Sequence, residues 1–216
     1  MRGQPEGRAD PGPGHPGGGS LGTRRHLDRG VDRPLPAAHG APVRVAVPGY
    51  IGARSVKWVE RLTVQDRPSD NYFQATAYRL LPADADPAAA GPGDGLSLGA
   101  VAVNADILRP DGRGILPAGP TEVTGYAYAG DDRGIARVDV SADGGRSWRQ
   151  AGLDGQAGPW AWRHWRAVID LPAGESEITA RAWDTAAALQ PESPEHLRNP
   201  KGYANNSWAR LRVTAR

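Results

Sequence analysis

The 216-residue sequence contains no cysteine. A chain without thiols forms no disulfide, offers no thiolate for nucleophilic catalysis, and cannot hold zinc or an iron–sulfur cluster through sulfur. Its five histidines are scattered, with no spacing that would place two of them on one face near a carboxylate. The sequence therefore predicts neither a metal site nor a catalytic residue.

Long apolar segments are also missing. No run approaches the roughly 20 apolar residues that a membrane-spanning helix needs. The amino terminus, MRGQPEGRAD, lacks the apolar stretch of a secretory signal. We therefore expect a soluble chain with no membrane segment and no signal peptide, and the sequence does not indicate its compartment.

Lysine is nearly absent, because Lys57 and Lys201 are the only two and arginine supplies the other positive charges. The formal net charge is only +2, and the basic residues form no run in the sequence. Attraction to nucleic acid depends on a clustered basic face. Nucleic-acid binding is therefore not predicted.

Composition divides the chain into three parts. Residues 1–33 are mostly Gly, Pro, Arg and Asp, a composition that predicts a disordered tail. Residues 34–98 begin with alternating β-branched residues, among them Val43, Val45 and Val47, which predict strands. From residue 82 onward this second part becomes rich in Pro, Ala, Asp and Gly, which is typical of a linker or a long surface loop.

Residues 99–216 show short alternating segments separated by turn residues, with no helical period. This pattern predicts an all-β fold, an antiparallel sandwich of two sheets. An Asp-Gly pair in residues 142–146 predicts a tight hairpin turn. The predicted strands are residues 100–103, 121–128, 136–141, 147–150, 162–170, 177–184 and 209–214.

The aromatic and acidic residues of residues 99–216 could have either a purely structural role or a role in binding or catalysis. Tryptophans in a sandwich usually fill the core or an interface, whereas a stacking platform for sugars or bases would need several rings exposed on one face. We expect the first for Trp148, Trp160, Trp162, Trp165 and Trp183. We interpret the acidic residues Asp131, Asp132, Asp139 and Asp143 as solvated turn carboxylates.

The segment most suited to a ligand lies in the second part. HGAPVR followed by GARSVKW places His39, Arg44, Arg54 and Lys57 within a short stretch that contains glycines. Such a stretch can present cationic side chains and backbone N–H groups to a phosphate. The residues alone also fit a pair of surface strands with solvated Arg and Lys.

PLPAAHGAPVRVAVPGYIGARSVKW resembles the segment by which sulfite oxidases and related assimilatory nitrate reductases bind the phosphate end of molybdopterin. The resemblance implies that His39 and Arg44 hydrogen-bond this phosphate region and that Lys57 reaches the cofactor. It also implies backbone contacts from Ser55 and Val56. Arg54 lies in the same motif, where the resemblance assigns it no clear contact.

The third part resembles the dimerisation domain of the same family, an immunoglobulin-like sandwich. The resembling stretches are GPTEVTGYAYAGDDRGIARVDVSADGGRSW, WAWRHWRAVIDL, ARAWDTAAALQPE and NPKGYANNSWARLRV. The resemblance implies a homodimer formed through this domain. It divides the chain into a tail (1–33), a partial molybdopterin-binding segment with its linker (34–98) and an immunoglobulin-like dimerisation domain (99–216).

The resemblance implies oxygen-atom transfer at molybdenum, with sulfite or a similar substrate, in a cytoplasmic or periplasmic enzyme. In that family a cysteine thiolate and the pterin dithiolene hold the metal, and a tyrosine near the active centre precedes PLP. Here cysteine is absent and the first tyrosine is Tyr50.

Either the coding region upstream is truncated or misread, or a separate chain supplies the molybdenum-binding half. We therefore expect a C-terminal part that is inactive alone. The alternative is a non-catalytic interaction module, so the sequence leaves open whether the chain is an enzyme.

Overall fold

The computed structural model describes residues 34–82, 84–86, 88, 89, 91, 93–196 and 203–216. The predicted disordered tail, residues 1–33, lies outside these described residues. The longest helix in the described part, α1, spans only Tyr72–Ala75, and no helix there could cross a bilayer. Three single 3₁₀ turns complete the helical content, at Ala37–His39, Gly52–Arg54 and Pro194–His196.

The described residues form eleven strands, which make a small hairpin and two larger sheets. The strands are β1 Arg79–Leu80, β2 Leu96–Ser97, β3 Asn104–Arg109, β4 Ile115–Leu116, β5 Gly119–Tyr128, β6 Ile135–Ser141, β7 Arg149–Gln150, β8 Gly152–Leu153, β9 Arg163–Leu171, β10 Gly174–Asp184 and β11 Ala209–Ala215. The hairpin pairs β1 with β2, and the two sheets have the orders β3-β5-β9-β8 and β4-β11-β10-β6-β7.

The strand order identifies the sandwich type. In the first sheet, β3, β5, β9 and β8 occupy the places of strands A, B, E and D of an immunoglobulin domain. In the second, β6, β10 and β11 occupy those of strands C, F and G. All these pairs are antiparallel, and only the short edge strand β4 runs parallel to β11. The predicted all-β, immunoglobulin-like fold is confirmed.

The core forms because inward positions alternate along each strand. On β9 every second residue from Trp165 to Leu171 is buried, and on β10 the buried apolar set is Ile178, Ala180 and Ala182. Trp165 is only 1% exposed and lies against β5 at Gly125, where an added Cβ would stand 2.2 Å from the indole ring. Glycine at this position therefore lets the largest core side chain pack against the backbone.

Two strand predictions are wrong. Residues 43–47 and 55–59 do not form a ladder, and they share only isolated backbone hydrogen bonds such as Val45 N–H to the Val56 carbonyl at 2.8 Å. Prolines at 42 and 48 lack the N–H groups that a regular ladder would use. Residues 100–103 contribute only a single bridge, from Ala100 to Tyr50, and the strand begins at Asn104 instead.

Residues 82–98, which the sequence predicts as a linker or a long surface loop, end in a strand that pairs with β1. This strand is β2, and the pairs are Arg79–Ser97 and Leu80–Leu96. The Arg79 guanidinium donates to the carbonyls of Gly93, Asp94 and Gly95. One arginine therefore closes the loop at its base.

The outer face of the second sheet carries a column of stacked arginines and tryptophans. The Arg181 guanidinium carbon lies 3.8 Å from the Trp148 ring centroid, 4.8 Å from that of Trp183 and 5.3 Å from that of Trp208. The Arg137 guanidinium carbon lies 5.0 Å from the Trp183 ring centroid. We call these five residues the Arg–Trp column. They form an additional layer that shields the sheet from water.

Beneath the Arg–Trp column lies Asp139, which is fully buried. Its carboxylate accepts from Arg137 Nε at 2.7 Å and Nη2 at 2.9 Å, and from Arg181 Nη2 at 3.4 Å. The interpretation of Asp139 as a solvated turn carboxylate is therefore wrong. Strand alternation points this residue away from the core, but the column covers it, and sequence spacing does not reveal that cover.

The tryptophan prediction holds only in part. Trp165 lies in the core, whereas Trp148 and Trp183 belong to the Arg–Trp column and Trp160 is half-buried. Trp162 is exposed and stacks on Tyr126 with ring centroids 4.9 Å apart. Of the five tryptophans only Trp162 is exposed, so they do not form a stacking platform.

The Asp-Gly pair lies in the connection between β6 and β7, but this connection spans residues 142–148 and is longer than the predicted tight hairpin turn. The Asp143 carboxylate accepts from the Ser141 hydroxyl at 2.7 Å, from the Arg146 and Ser147 amides at 2.9 Å each, and from the Ser147 hydroxyl at 2.7 Å. These bonds, led by that from Ser141, hold the pKa of Asp143 well below its ordinary range. Asp143 is thus a structural acceptor that fixes the turn.

Candidate functional site

Two cations are tied to one turn in the segment that precedes the sandwich. Arg44 Nη1 donates to the His39 carbonyl at 3.2 Å, and Lys57 Nζ donates to the Ala38 carbonyl at 2.9 Å. Both carbonyls belong to the 3₁₀ turn Ala37–His39. The structure therefore brings together three predicted site residues, His39, Arg44 and Lys57, which we call the cation turn.

Gly40 explains how the three chain segments approach each other. It is buried and ends the 3₁₀ turn with φ at 109°, a left-handed conformation that favours glycine. A Cβ there would lie 3.0 Å from Lys57 Cβ and 3.2 Å from Arg44 Cβ. The absence of a side chain at Gly40 thus permits the close crossing that places Arg44 beside Lys57.

The cation turn faces outward. The His39 and Lys57 side chains are exposed, and Arg44 is half-buried. Trp58 lies next to them with φ at 52°, and its indole Nε1 donates to the Ala37 carbonyl at 2.7 Å. Two cationic side chains beside an exposed imidazole make a surface that an anion could approach.

Ser55 and Val56 directly precede Lys57 and are held by hydrogen bonds to neighbouring segments. The Ser55 amide donates to the Gly52 carbonyl at 3.0 Å, and its hydroxyl accepts from the Val47 amide at 3.2 Å. The Val56 carbonyl accepts from Val45 N–H, and its side chain is exposed. Both residues therefore fix the segment that carries Lys57.

Arg54 is a structural residue. Its Nε donates to the Leu98 carbonyl at 2.9 Å, its Nη2 to the Ser97 hydroxyl at 2.7 Å and its Nη1 to the Phe73 carbonyl at 3.4 Å. Burial lowers the pKa of Arg54. The side chain points toward the β1–β2 hairpin and α1, and it holds the turn before Ser55 in place.

The cation turn fits the phosphate end of a cofactor. Arg44 Nε is buried and has no hydrogen-bond acceptor among the described residues. A buried donor without an acceptor costs free energy that a nearby anionic oxygen would recover. The donor set is also chemically apt, because guanidinium and ammonium groups are the usual phosphate ligands.

The same residues do not fit a molybdenum ion. Soft thiolates are the ligands expected for such a centre, and the sequence has no cysteine. In the part of the chain that the structure describes, no group of three His, Asp or Glu side chains is arranged to hold a metal. The described residues therefore offer cationic groups for the phosphate end of a cofactor, and no arranged set of metal ligands is present among them.

A cavity of about 510 Å³ lies where the N-terminal segment meets the sandwich. Four tyrosines and three asparagines contribute to its lining: Tyr50, Tyr78, Tyr128, Tyr203, Asn104, Asn205 and Asn206. Tyr78 stacks on Tyr203 with ring centroids 4.9 Å apart. Burial, with smaller effects from Tyr126 and Asp106, raises the pKa of Tyr128. The sequence analysis missed this cavity because its lining comes from separate segments with no common spacing.

The junction beside this cavity is tightly packed. The Val101 amide donates to the Gly49 carbonyl at 2.8 Å, and the Gly130 amide donates to the Val101 carbonyl at 2.8 Å. A Cβ on Gly130 would lie 2.1 Å from the Gly49 oxygen. The segment with the cation turn is therefore held directly against the end of the sandwich.

Comparison with protein families accounts for both parts of the chain. Residues 98–216, more than half of the chain, match the Mo-co oxidoreductase dimerisation domain. Residues 30–73 match the oxidoreductase molybdopterin binding domain. The chain belongs to the sulfite oxidase family of Mo-co oxidoreductases. This family binds molybdopterin, and the chain contains only part of the binding domain together with the dimerisation domain.

Individual relatives agree with this family assignment. The chain is 36% identical to human mitochondrial sulfite oxidase over 187 residues, which cover 84% of this chain and 34% of the human protein. It is 35% identical to chicken sulfite oxidase, covering 94% of this chain and 47% of that protein. A nitrate reductase from Betula pendula is 37% identical, over 81% of this chain and 21% of its own length. The chain thus spans less than half the length of these relatives.

A solved relative supports the arrangement of the two parts. The crystal structure of the sulfane dehydrogenase SoxCD from Paracoccus pantotrophus aligns with a TM-score of 0.69 and 30% sequence identity. The alignment covers 83% of this chain and 46% of that chain. The likeness therefore extends beyond the sandwich into the segment that precedes it.

Proposed function

We propose that this chain is the cofactor-edge and dimerisation part of an oxidoreductase that transfers an oxygen atom to or from sulfite or a similar oxyanion. The observation that carries the proposal is the attachment of Arg44 and Lys57 to one turn across Gly40. The proposed division is a tail at 1–33, a partial molybdopterin-binding segment with its linker at 34–98, and the dimerisation domain at 99–216.

The cation turn would hold the phosphate end of molybdopterin. Arg44 and Lys57 supply positive charge, His39 supplies an imidazole at the same turn, and Ser55 and Val56 contribute backbone contacts to the cofactor. When bound, the cofactor supplies the molybdenum centre at which oxygen-atom transfer takes place. The residues of this chain bind and orient its anionic end.

The chain alone is inactive under this proposal, because the thiolate that would complete the metal site must come from another polypeptide segment. Charge-assisted hydrogen bonds contribute about 1.5–3 kcal/mol each. A few of them at one edge do not offset the cost of immobilising a large cofactor. The segment that carries this thiolate therefore comes either from an upstream part of the coding region or from a separate chain, and the sandwich makes a homodimer.

The alternative is a non-catalytic interaction module. The missing cysteine favours it. The two functions differ in what the cation turn does. A module has no use for an anion at Arg44 and Lys57, whereas the oxidoreductase part requires one.

Titration of the purified chain with inorganic phosphate, followed by NMR, tests the proposed cofactor contact. We expect resonance shifts at Gly40 and at the Arg44 side chain, with a dissociation constant of about 1 mM, because two charge-assisted hydrogen bonds of about 2 kcal/mol each give a binding free energy of about 4 kcal/mol. Substituting glutamine at Arg44 or at Lys57 should weaken binding about tenfold, because each removes about 1.4 kcal/mol or more of charge-assisted bonding.

Arg61→Gln is the matched control, because Arg61 is an exposed arginine of the same segment. It should leave the dissociation constant within about twofold of the wild type, since Arg61, unlike Arg44 and Lys57, donates to no carbonyl of the described turn Ala37–His39. Equal weakening by Arg61→Gln and Arg44→Gln would mean that phosphate responds to net charge alone. That result would leave the interaction module as the better account.

A further inference from the structure

We propose that Trp58 is a positioning residue for the cation turn, which ties the Lys57 ammonium to the turn Ala37–His39 so that Lys57 and Arg44 meet one anion together. The inference rests on the proposed function, because the anion is the phosphate end of the cofactor. It adds a residue that acts through Lys57 and makes no contact with the phosphate itself.

The three carbonyls of the turn Ala37–His39 each accept a hydrogen bond from a side chain outside the turn. The Trp58 indole donates to the first at 2.7 Å, the Lys57 ammonium to the second at 2.9 Å and the Arg44 guanidinium to the third at 3.2 Å. Arg44 lies five residues from its acceptor in the sequence, and Lys57 lies 19 from its own. Lys57 therefore reaches Arg44 only through contacts between separate segments, and the bond from Trp58 is the shortest of these three.

The three donors differ in what they can do when an anion binds. An ammonium carries three N–H groups and a guanidinium five, so Lys57 and Arg44 have further hydrogens for a phosphate. The indole of Trp58 has a single N–H and no charge. Its bond to the Ala37 carbonyl takes no part in binding the anion, and it holds the turn while the cations share their hydrogens with phosphate.

The backbone at Trp58 turns the ring back toward Lys57. In an extended segment, neighbouring side chains point to opposite sides. Trp58 has φ at 52°, a left-handed conformation that bulky residues rarely adopt. The ring lies beside Lys57, whose Nζ is 5.4 Å from its centroid, within reach of a cation–π contact. Unusual backbone of this kind persists where contacts of the folded chain hold it, and the indole bond to Ala37 is such a contact.

Trp58 has no role in the hydrophobic core. It is 57% exposed, and every residue of the buried core cluster belongs to the sandwich. An aromatic side chain stabilises a fold mainly through the area that it buries. Replacing Trp58 should therefore alter the cation turn and leave the sandwich folded.

A double-mutant cycle with inorganic phosphate as the probe tests this role. Trp58→Phe keeps a ring beside Lys57 and removes the indole N–H. In the NMR titration of the full chain, it should weaken phosphate binding about fivefold in the wild-type background and less than about twofold in Lys57→Gln, because Trp58 acts through Lys57. Trp162→Phe is the matched control, since Trp162 is 60% exposed and lies on the sandwich. It should change the dissociation constant less than about twofold in both backgrounds.

Exchange of the indole N–H with water gives a second readout that needs no phosphate. The Trp58 indole resonance is assigned as the one that Trp58→Phe lacks. Because this N–H is hydrogen-bonded, we expect it to exchange at least about tenfold more slowly than that of Trp162. It should stay protected when phosphate is added.

Three outcomes would overturn the inference, and they separate it from the proposed function. Equal weakening by Trp58→Phe in the wild-type and Lys57→Gln backgrounds refutes the positioning role while phosphate binding stands. An indole N–H of Trp58 that exchanges as fast as that of Trp162 does the same. A wild-type chain that binds no phosphate at about 50 mM, about fifty times the expected dissociation constant, refutes the proposed function and the inference together.

Discussion

Replacing Arg181 with alanine is expected to lower the free energy of unfolding by about 3 kcal/mol, a large effect for a residue on the outer face of a sheet. Arg181 donates to the fully buried Asp139 and lies between the rings of Trp148, Trp183 and Trp208. Its removal weakens the pairing of a buried carboxylate and leaves a gap between three aromatic side chains. Equilibrium urea denaturation at pH 7 measures the loss.

Two matched variants separate the contributions. Arg212→Ala removes an arginine from the same sheet at a position that is 92% exposed, and it should change the free energy by less than about 0.5 kcal/mol. The double variant Asp139→Leu/Arg181→Met removes Asp139 and one of its two arginine partners and keeps apolar volume beneath the rings, while the remaining partner, Arg137, is half-exposed and can be solvated by water. It should recover most of the lost stability, because a buried ion pair is replaceable by packed apolar side chains.

Equal stabilities of Arg181→Ala and Arg212→Ala would contradict the role given to the Arg–Trp column. A double variant that is less stable than Arg181→Ala alone would show that the charges themselves stabilise the sheet. The column would then be an electrostatic feature, and its packing would be secondary.

Gly130→Ala is expected to release the N-terminal segment from the sandwich while the sandwich stays folded. The added Cβ would stand 2.1 Å from the Gly49 oxygen, 2.6 Å from the Val101 nitrogen and 2.8 Å from the Val101 oxygen. All three atoms belong to the backbone, so no side-chain rotation relieves the overlap. The backbone segments at Gly49 and Val101 must therefore move away from residue 130.

Hydrogen exchange measured residue by residue tests this release. The amides of Val101 and Gly130, which bridge the junction, should exchange at least tenfold faster in Gly130→Ala, equivalent to about 1.4 kcal/mol of local stability. The amides of β9 should keep their protection. Gly155→Ala is the control, because a Cβ there meets nothing within 4 Å. Faster exchange throughout β9 would mean that the segment and sandwich unfold as one unit.

The sequence predicted the long strands well and the short ones poorly. β5, β9 and β10 alternate large apolar with polar residues over nine or more positions, and each prediction lies within three residues of the observed ends. β4 and β8 have two residues each, too few for a period to appear. For β3 the sequence predicts a strand at residues 100–103, before the observed strand. The reason is that residues 100–103 are more apolar than the sequence of β3, NADILR.

The candidate site was predictable in its residues but not in its geometry. The glycine-containing cationic stretch and the family resemblance both indicate His39, Arg44 and Lys57, but nothing in their spacing of up to 18 residues brings them together. Their contact depends on the left-handed turn at Gly40 and on the anchoring of Arg54 to Leu98. The burial of Asp139 could not be predicted either. This residue lies on the outer face of a strand, and it is buried only because side chains of the Arg–Trp column, some of them from distant segments, cover it.

The central claim is that Arg44 and Lys57 hold the phosphate end of a pterin cofactor whose metal ligand lies on another polypeptide segment. Its most direct test is to co-express this chain with the cysteine-bearing half of a related sulfite oxidase and to measure molybdenum and pterin in the purified complex. We predict that both co-purify with the wild-type chain and with Arg61→Ala, and fall at least tenfold in Arg44→Ala/Lys57→Ala. Equal molybdenum and pterin content in the double variant and the wild type would contradict the claim.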